Sequence, residues 1–78
     1  MIPQINMTKT VEYIKRLMNN RGLSVRAVQE VCGFATPQAI YKWLHGKSLP
    51  TVDNLVILAD LFCCTIDDIL IVEKEYTF

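Results

Sequence analysis

The segment from Gly33 to Gly46, GFATPQAIYKWLHG, constrains the fold of this chain more than any other stretch. The hydroxyl of Thr36 suits a helix N-cap, and Pro37 suits the first helical position, where a missing N–H costs nothing. Gly46 suits the left-handed residue that ends a helix. The segment therefore predicts a helix of about two and a half turns over about residues 37–45.

The predicted helix has two chemically different faces. At about 100° per residue, Ile40, Trp43 and Leu44 fall together and form a face suited to a hydrophobic core. The opposite face carries polar side chains, namely Gln38, Tyr41, Lys42 and His45. A glutamine and a lysine one turn apart can read base edges in the major groove of DNA. The alternative is a solvated helix face, the commoner arrangement in an arbitrary protein, so the flanking sequence has to decide.

Apolar spacing and capping residues predict four more short helices around the same core. Their first residues or N-caps are expected to be Thr8, Ser24, Thr51 and Thr65. The side chains expected in the core are Val11, Ile14, Leu17, Met18, Ala27, Val28, Val31, Phe34, Leu55, Leu58, Ala59 and Phe62. Those expected to face solvent on the second helix are Arg26, Gln29 and Glu30. The expected fold is therefore all-α, with five short helices.

The two ends of the chain carry weaker signals. Residues 1–7 look like a loose lead-in to the first helix. Residues 71–78 alternate between two sets of side chains, which fits a strand, a helix extension or a partner-binding tail. The expected organisation is a single domain over residues 1–78, with its core at about residues 8–70 and a C-terminal tail.

Composition excludes several classes of protein. The 78 residues are 51% hydrophobic, which is too many for a disordered chain and enough for one small core. No apolar run reaches the length of a membrane span, and the polar residues among the first seven argue against a signal peptide. A cytoplasmic location is therefore expected, with no membrane association.

The cysteines do not form a recognisable framework. Cys32, Cys63 and Cys64 are odd in number, and two of them are adjacent. Zinc-ligand spacing is missing because His45 is the only histidine in the sequence. Buried, reduced thiols are expected, and neither a metal nor a cofactor is indicated.

Charge is balanced overall but unevenly distributed. Residues 1–50 contain seven Lys and Arg against two Glu, whereas residues 51–78 contain one Lys against six acidic residues. Such a polarised chain can turn its basic end toward a polyanion and keep its acidic end away. The attraction for DNA should be modest and salt-sensitive.

Several ordered segments together resemble one known family. Two short helices joined by a small turn, the second with a polar outer face, form a helix-turn-helix. The residues from about Thr8 to Leu70 are similar to the phage repressor and Cro-like helix-turn-helix family, also called the xenobiotic-response-element family. The segments that carry the resemblance are IKRL at 14–17, RGLS at 21–24, Ala27, Gly33, IYKW at 40–43, GKSLPT at 46–51, LVILA at 55–59 and IDDIL at 66–70.

The resemblance implies a five-helix, lambda-repressor-like DNA-binding domain. Its third helix would enter the major groove of double-stranded DNA, and the protein would act as a homodimeric transcription regulator. The positions that would contact bases are Gln38, Ala39, Tyr41 and Lys42. The positions that would contact phosphates are Ser24, Arg26, Thr36, His45, Lys47 and Ser48.

An enzyme is not expected from the residues. His45 has no nucleophile and orienting group recognisable beside it, and a glycine-rich phosphate loop is absent from the sequence. Asp67 and Asp68 are adjacent, so on a helix they point about 100° apart and do not form a catalytic pair. The second hypothesis is a protein-interaction or antitoxin-like module on the same fold, because the net charge is zero and the tail is partly apolar. The tail could then hold a protein partner or form the dimer.

Overall fold

The computed structural model describes residues 3–73. Within them the chain forms five helices, as predicted, and one short two-stranded antiparallel ribbon. The elements are β1 (Gln4–Ile5), α1 (Met7–Asn20), α2 (Val25–Cys32), α3 (Gln38–Leu44), α4 (Val52–Phe62), α5 (Ile66–Ile69) and β2 (Val72–Glu73). None of these helices is long and apolar enough to span a bilayer.

Side-chain caps fix the starts of α2, α4 and α5 at the predicted residues. Ser24 Oγ accepts from the Ala27 N–H at 3.1 Å. Thr51 Oγ1 accepts from the Asn54 N–H at 3.4 Å. Thr65 and Asp68 form a reciprocal capping box, in which each side chain accepts from the other residue's N–H. Local sequence therefore determines where these three helices begin.

The first helix begins one residue before the expected position of about Thr8, and the predicted cap of α3 was wrong. α1 begins at Met7 rather than Thr8, because the Asn6 side chain caps it by accepting from the Lys9 N–H. At α3 the N-cap position is Pro37, so Pro37 lies outside the helix and Thr36 is not its cap. The φ and ψ of Pro37, −82° and 4°, differ from the extended backbone that a hydroxyl cap needs.

The cysteines are less buried than predicted. Cys63 is exposed, whereas Cys32 and Cys64 are half-buried. Desolvation raises the pKa of the Cys32 and Cys64 thiols. Cys63 ends α4 in the left-handed conformation with φ at 56°, a role that glycine usually fills.

One hydrophobic cluster draws on all five helices. Its buried members are Ile14, Met18, Val28, Ile40, Trp43, Leu55, Leu58, Ala59, Phe62 and Ile69. Predicted core residues that are only half-buried are Leu17, Ala27, Phe34 and Leu44. Val31 was assigned to the core wrongly: it lies in the last turn of α2 and is 49% exposed. The predicted core stripe of α4 is confirmed in full.

The ribbon joins the two ends of the described chain. Gln4 pairs with Glu73 and Ile5 with Val72, so the residues predicted to be a loose lead-in include a strand. Of the three alternatives for residues 71–78, a strand is formed at Val72–Glu73, and residues 74–78 lie outside the described part. Thr10, which is fully buried, secures the ribbon by accepting from the Ile71 N–H at 3.0 Å.

Candidate nucleic-acid interface

Core contacts rather than a cap hold α3 in place. Ile40 is completely buried and Trp43 is 4% exposed. The Phe34 ring meets Trp43 edge-to-face, with ring centroids 5.8 Å apart. The Gln29 amide donates to the Phe34 carbonyl at 3.2 Å and ties α2 to the turn that precedes α3. The helix-turn-helix is therefore held by the core on one side and by this hydrogen bond in the turn.

Gln29 was predicted to point into solvent, and this prediction was wrong. Its side chain is half-buried because its amide turns toward the α2–α3 turn. The helical period alone does not reveal such a contact, since it depends on how the following turn folds back. Gln29 is the positioning residue that sequence reasoning missed.

The polar face of α3 is exposed, as its helical spacing predicted. Gln38 and Lys42 are exposed one turn apart, and Ala39 beside them is half-buried. Tyr41 is 46% exposed, and its ring stacks on the His45 ring with centroids 6.3 Å apart and planes 23° apart. Gln38, Tyr41, Lys42 and His45 thus give the outer side of α3 a polar, exposed surface. Their contact with base edges stays a prediction.

Ser24 and Arg26 lie at the start of α2. The Ser24 hydroxyl is already engaged as the N-cap, while Arg26 forms an ion pair with Glu30 at 3.4 Å. Both side chains of the pair are well exposed, so the pair stabilises α2 little and leaves Arg26 able to exchange partners. An anion near this end of α2 would also meet free backbone N–H groups.

The loop after α3 presents a second group of predicted phosphate contacts. Lys47 is exposed and Ser48 half-buried, and their N–H groups donate to the Lys42 carbonyl at 2.9 and 3.4 Å. Gly46 adopts φ of 70°, a left-handed conformation that permits this tight return. The loop is thus hydrogen-bonded to the helix that carries Lys42. Thr36, at the other end of α3, is exposed.

The charge of this surface is positive. Among the described residues, 3–73, Arg26 and Glu30 form the one side-chain ion pair within 4.0 Å. Lys42 and Lys47 therefore have no acidic partner among these residues. The exposed carboxylates of α4 and α5 belong to Asp53, Asp60, Asp67 and Asp68. In the same range, no three His, Cys, Asp or Glu side chains come together as metal ligands would. The surface formed by α2, α3 and the following loop therefore presents hydrogen-bond donors and cations to a polyanion.

Comparison with known proteins identifies the family. A family model described as helix-turn-helix matches residues 14–69, which is more than half of the chain. No curated protein and no solved structure matches the chain. The matched range runs from the core stripe of α1 to the end of α5 and includes both helices of the helix-turn-helix. The chain therefore belongs to the helix-turn-helix family of the phage repressor and Cro type, a family of DNA-binding transcription regulators rather than of catalysts.

Proposed function

We propose that this protein is a sequence-specific transcription regulator that binds a palindromic DNA site as a homodimer. α3 enters the major groove with its polar face toward the base edges. The residues that contact bases are Gln38, Ala39, Tyr41 and Lys42. The residues that contact phosphates are Ser24, Arg26, Thr36, His45, Lys47 and Ser48.

One observation carries the proposal: the polar face of α3 stands free of its own subunit. Ile40 and Trp43 are buried in the core and Leu44 is half-buried against it, while Gln38 and Lys42 remain exposed on the other side of the helix. Lysine can donate to the O6 and N7 atoms of guanine, and glutamine can form a bidentate pair with adenine. A major groove is wide enough to accept one helix in this orientation.

The homodimer follows from the small number of base contacts. A single copy offers four candidate base-contacting side chains, all from one seven-residue helix. A second copy related by a two-fold axis doubles these contacts across two half-sites about 34 Å apart. Specific affinity in such systems depends on this doubling.

Selection of bound sequences from a random duplex pool tests the proposal. We expect a recovered palindrome whose half-site centres are about one helical turn apart. Recovery of an unchanged random pool would contradict sequence-specific binding. A single, non-repeated half-site would contradict the homodimer and leave base recognition standing.

The second candidate function is a protein-interaction module on the same fold. The observation that favours it is the outer side of α4, where Val52 and Val56 are 72% and 56% exposed beside Asp53 and Asp60. Binding to mixed-sequence duplex DNA at decreasing salt concentration separates the two functions. A DNA-binding protein gains affinity steeply as the salt concentration falls. If no binding appears even at low salt, the interaction module is the better account.

A further inference from the structure

The outer side of α4 has an unusual composition. Its exposed residues are Val52, Asp53, Val56 and Asp60, so two are apolar, two are acidic, and none is a cation or a neutral polar residue. Val52 is 72% exposed and Val56 56%, the two largest values among the large hydrophobic residues of the described chain. Side chains that stay in solvent contribute nothing to the core of their own subunit.

The outer side of α1 provides a contrast within the same fold. Its exposed residues are all polar or charged, namely Thr8, Lys9, Glu12, Lys15, Arg16, Asn19 and Asn20. That is the usual composition of a solvated helix face. Valine is also a poorer helix former than lysine, glutamate or glutamine. Neither packing nor helix propensity therefore accounts for the two exposed valines of α4, whereas a contact with another molecule does.

The four exposed residues form two adjacent rows along α4. At about 100° per residue, Val52 and Val56 are one turn apart and lie within about 40° of each other. Asp53 and Asp60 lie within about 20° of each other, on the side of the valines away from the core. Side chains one turn apart form a ridge of the kind that packs into a groove of another helix. These four residues are called the α4 ridge.

Charge decides which kind of partner suits the α4 ridge. Residues 51–73 contain no lysine or arginine, and their carboxylates belong to Asp53, Asp60, Asp67, Asp68 and Glu73. Such a surface repels a nucleic acid or an anionic membrane. It also repels a second copy of itself, because the same carboxylates would meet across the contact. A partner whose apolar side chains are flanked by lysine or arginine is complementary to it.

We propose that the α4 ridge binds a basic amphipathic helix of another protein. Apolar side chains of the partner pack against Val52 and Val56, and its cations lie beside Asp53 and Asp60. An amphipathic helix that lays its apolar face on another protein is a recurring mode of recognition. The inference does not depend on DNA binding, since it uses a different helix from α3. It gives the surface behind the second candidate function a partner of defined chemistry.

Titration of the isotope-labelled full chain with synthetic peptides tests the proposal. The probe is a helical peptide of about 15 residues, with leucine along one face and lysine along the other. One comparison peptide has glutamate in place of lysine, and another has serine in place of leucine. We expect the lysine–leucine peptide to bind and to shift the amide resonances of α4 most, and the two comparison peptides to bind much more weakly.

Paired variants place the contact on α4. Val56→Ser should weaken the dissociation constant of the lysine–leucine peptide about fivefold, because less apolar area is buried in the complex. Val31→Ser on α2 is the matched control, since Val31 is 49% exposed, and should leave the constant unchanged. Asp60→Asn should weaken binding about threefold at low salt and less at high salt. Glu12→Gln removes an exposed charge from α1 and should have little effect.

Three results would overturn the proposal: no binding of the lysine–leucine peptide, equal binding of either comparison peptide, or equal weakening by Val56→Ser and Val31→Ser. If Val56→Ser loses its helical circular dichroism, Val52→Ser takes its place under the same criterion. Titration with mixed-sequence duplex at low salt keeps this inference separate from the proposed function. A chain that binds the duplex but not the peptide refutes the inference alone, whereas one that binds the peptide but no duplex refutes the function alone.

Discussion

α3 and α4 show two ways of stabilising a helix in one small fold. α4 is supported locally by the Thr51 cap, by Asp53 in its first turn and by the left-handed Cys63 at its end. α3 has no side-chain cap and is held by Ile40 and Trp43 in the core. The outer side of α4 is acidic and apolar, while that of α3 carries glutamine, tyrosine, lysine and histidine. The difference teaches that the outer face of α3 has little part in holding the fold, so its residues are free to serve binding.

The largest expected effect is on stability, from removing the core anchor of α3. Trp43→Ala should lower the free energy of unfolding by about 4 kcal/mol, because it leaves a cavity beside Phe34. Tyr41→Ala on the exposed face of the same helix is the control and should cost well under about 1 kcal/mol. Urea denaturation measures both. Equal losses would show that the outer face of α3 also supports the fold.

A smaller effect is expected on DNA binding from the polar face of α3. Lys42→Ala should lower affinity for the selected site by about 2 kcal/mol and reduce discrimination against random duplex. Lys47→Ala, in the loop, should weaken binding to both duplexes alike and reduce the salt dependence. Fluorescence anisotropy with the two duplexes gives both numbers. Equal losses on both duplexes for Lys42→Ala would remove it from base recognition.

Helix capping gives a still smaller difference between the two helices. Thr51→Ala should cost about 1 kcal/mol of stability, because Thr51 caps α4. Thr36→Ala should change stability by less than about 0.5 kcal/mol, since Thr36 is exposed and does not cap α3. Thermal unfolding of the two variants distinguishes them. A comparable loss of stability for Thr36→Ala would indicate that Thr36 caps α3, as the sequence suggested.

The smallest effect is a dependence of stability on pH at α5. The Thr65 N–H donates to the Asp68 carboxylate and holds its pKa below its ordinary value of 3.8. A carboxylate whose pKa is lowered in the folded state stabilises the fold at pH values above its ordinary pKa. That contribution is lost as the pH falls through the lowered pKa. The loss of stability caused by Asp68→Asn should therefore be smaller at acidic pH than at neutral pH.

Asp67→Asn removes the same charge from the neighbouring position, where the described structure shows no hydrogen bond to the carboxylate. Thermal unfolding of the two variants between about pH 3 and pH 7 isolates the contribution of the capping box. Parallel curves for both variants would mean that net charge, and not the hydrogen bond, controls this dependence.

Much of the fold was predictable because its signals are local. The hydroxyls of Ser24, Thr51 and Thr65 cap helices as expected, and the stripe of α4 is buried as its spacing predicts. The exposed side of α3 was also predictable, since Ile40 and Trp43 leave only one orientation for Gln38 and Lys42.

What sequence reasoning missed depends on contacts between distant residues. β1 and β2 have two residues each, too few for a period to show, and they pair across most of the chain. Val31 follows the period of its helix but lies beyond the edge of the core. Gln29 turns toward Phe34 because of how the following turn folds. Local patterns contain none of this information.

The hydroxyl of Thr10 has a consequence for how the molecule opens. Together with the Asn6 N–H, it ties Ile71 to the first turn of α1 across about sixty intervening residues. Breaking these two hydrogen bonds would release both strands without separating the buried residues of the core cluster, because the last of those residues is Ile69. The ribbon is therefore a cooperative unit distinct from the helices, and its amide protons should exchange with solvent well before theirs.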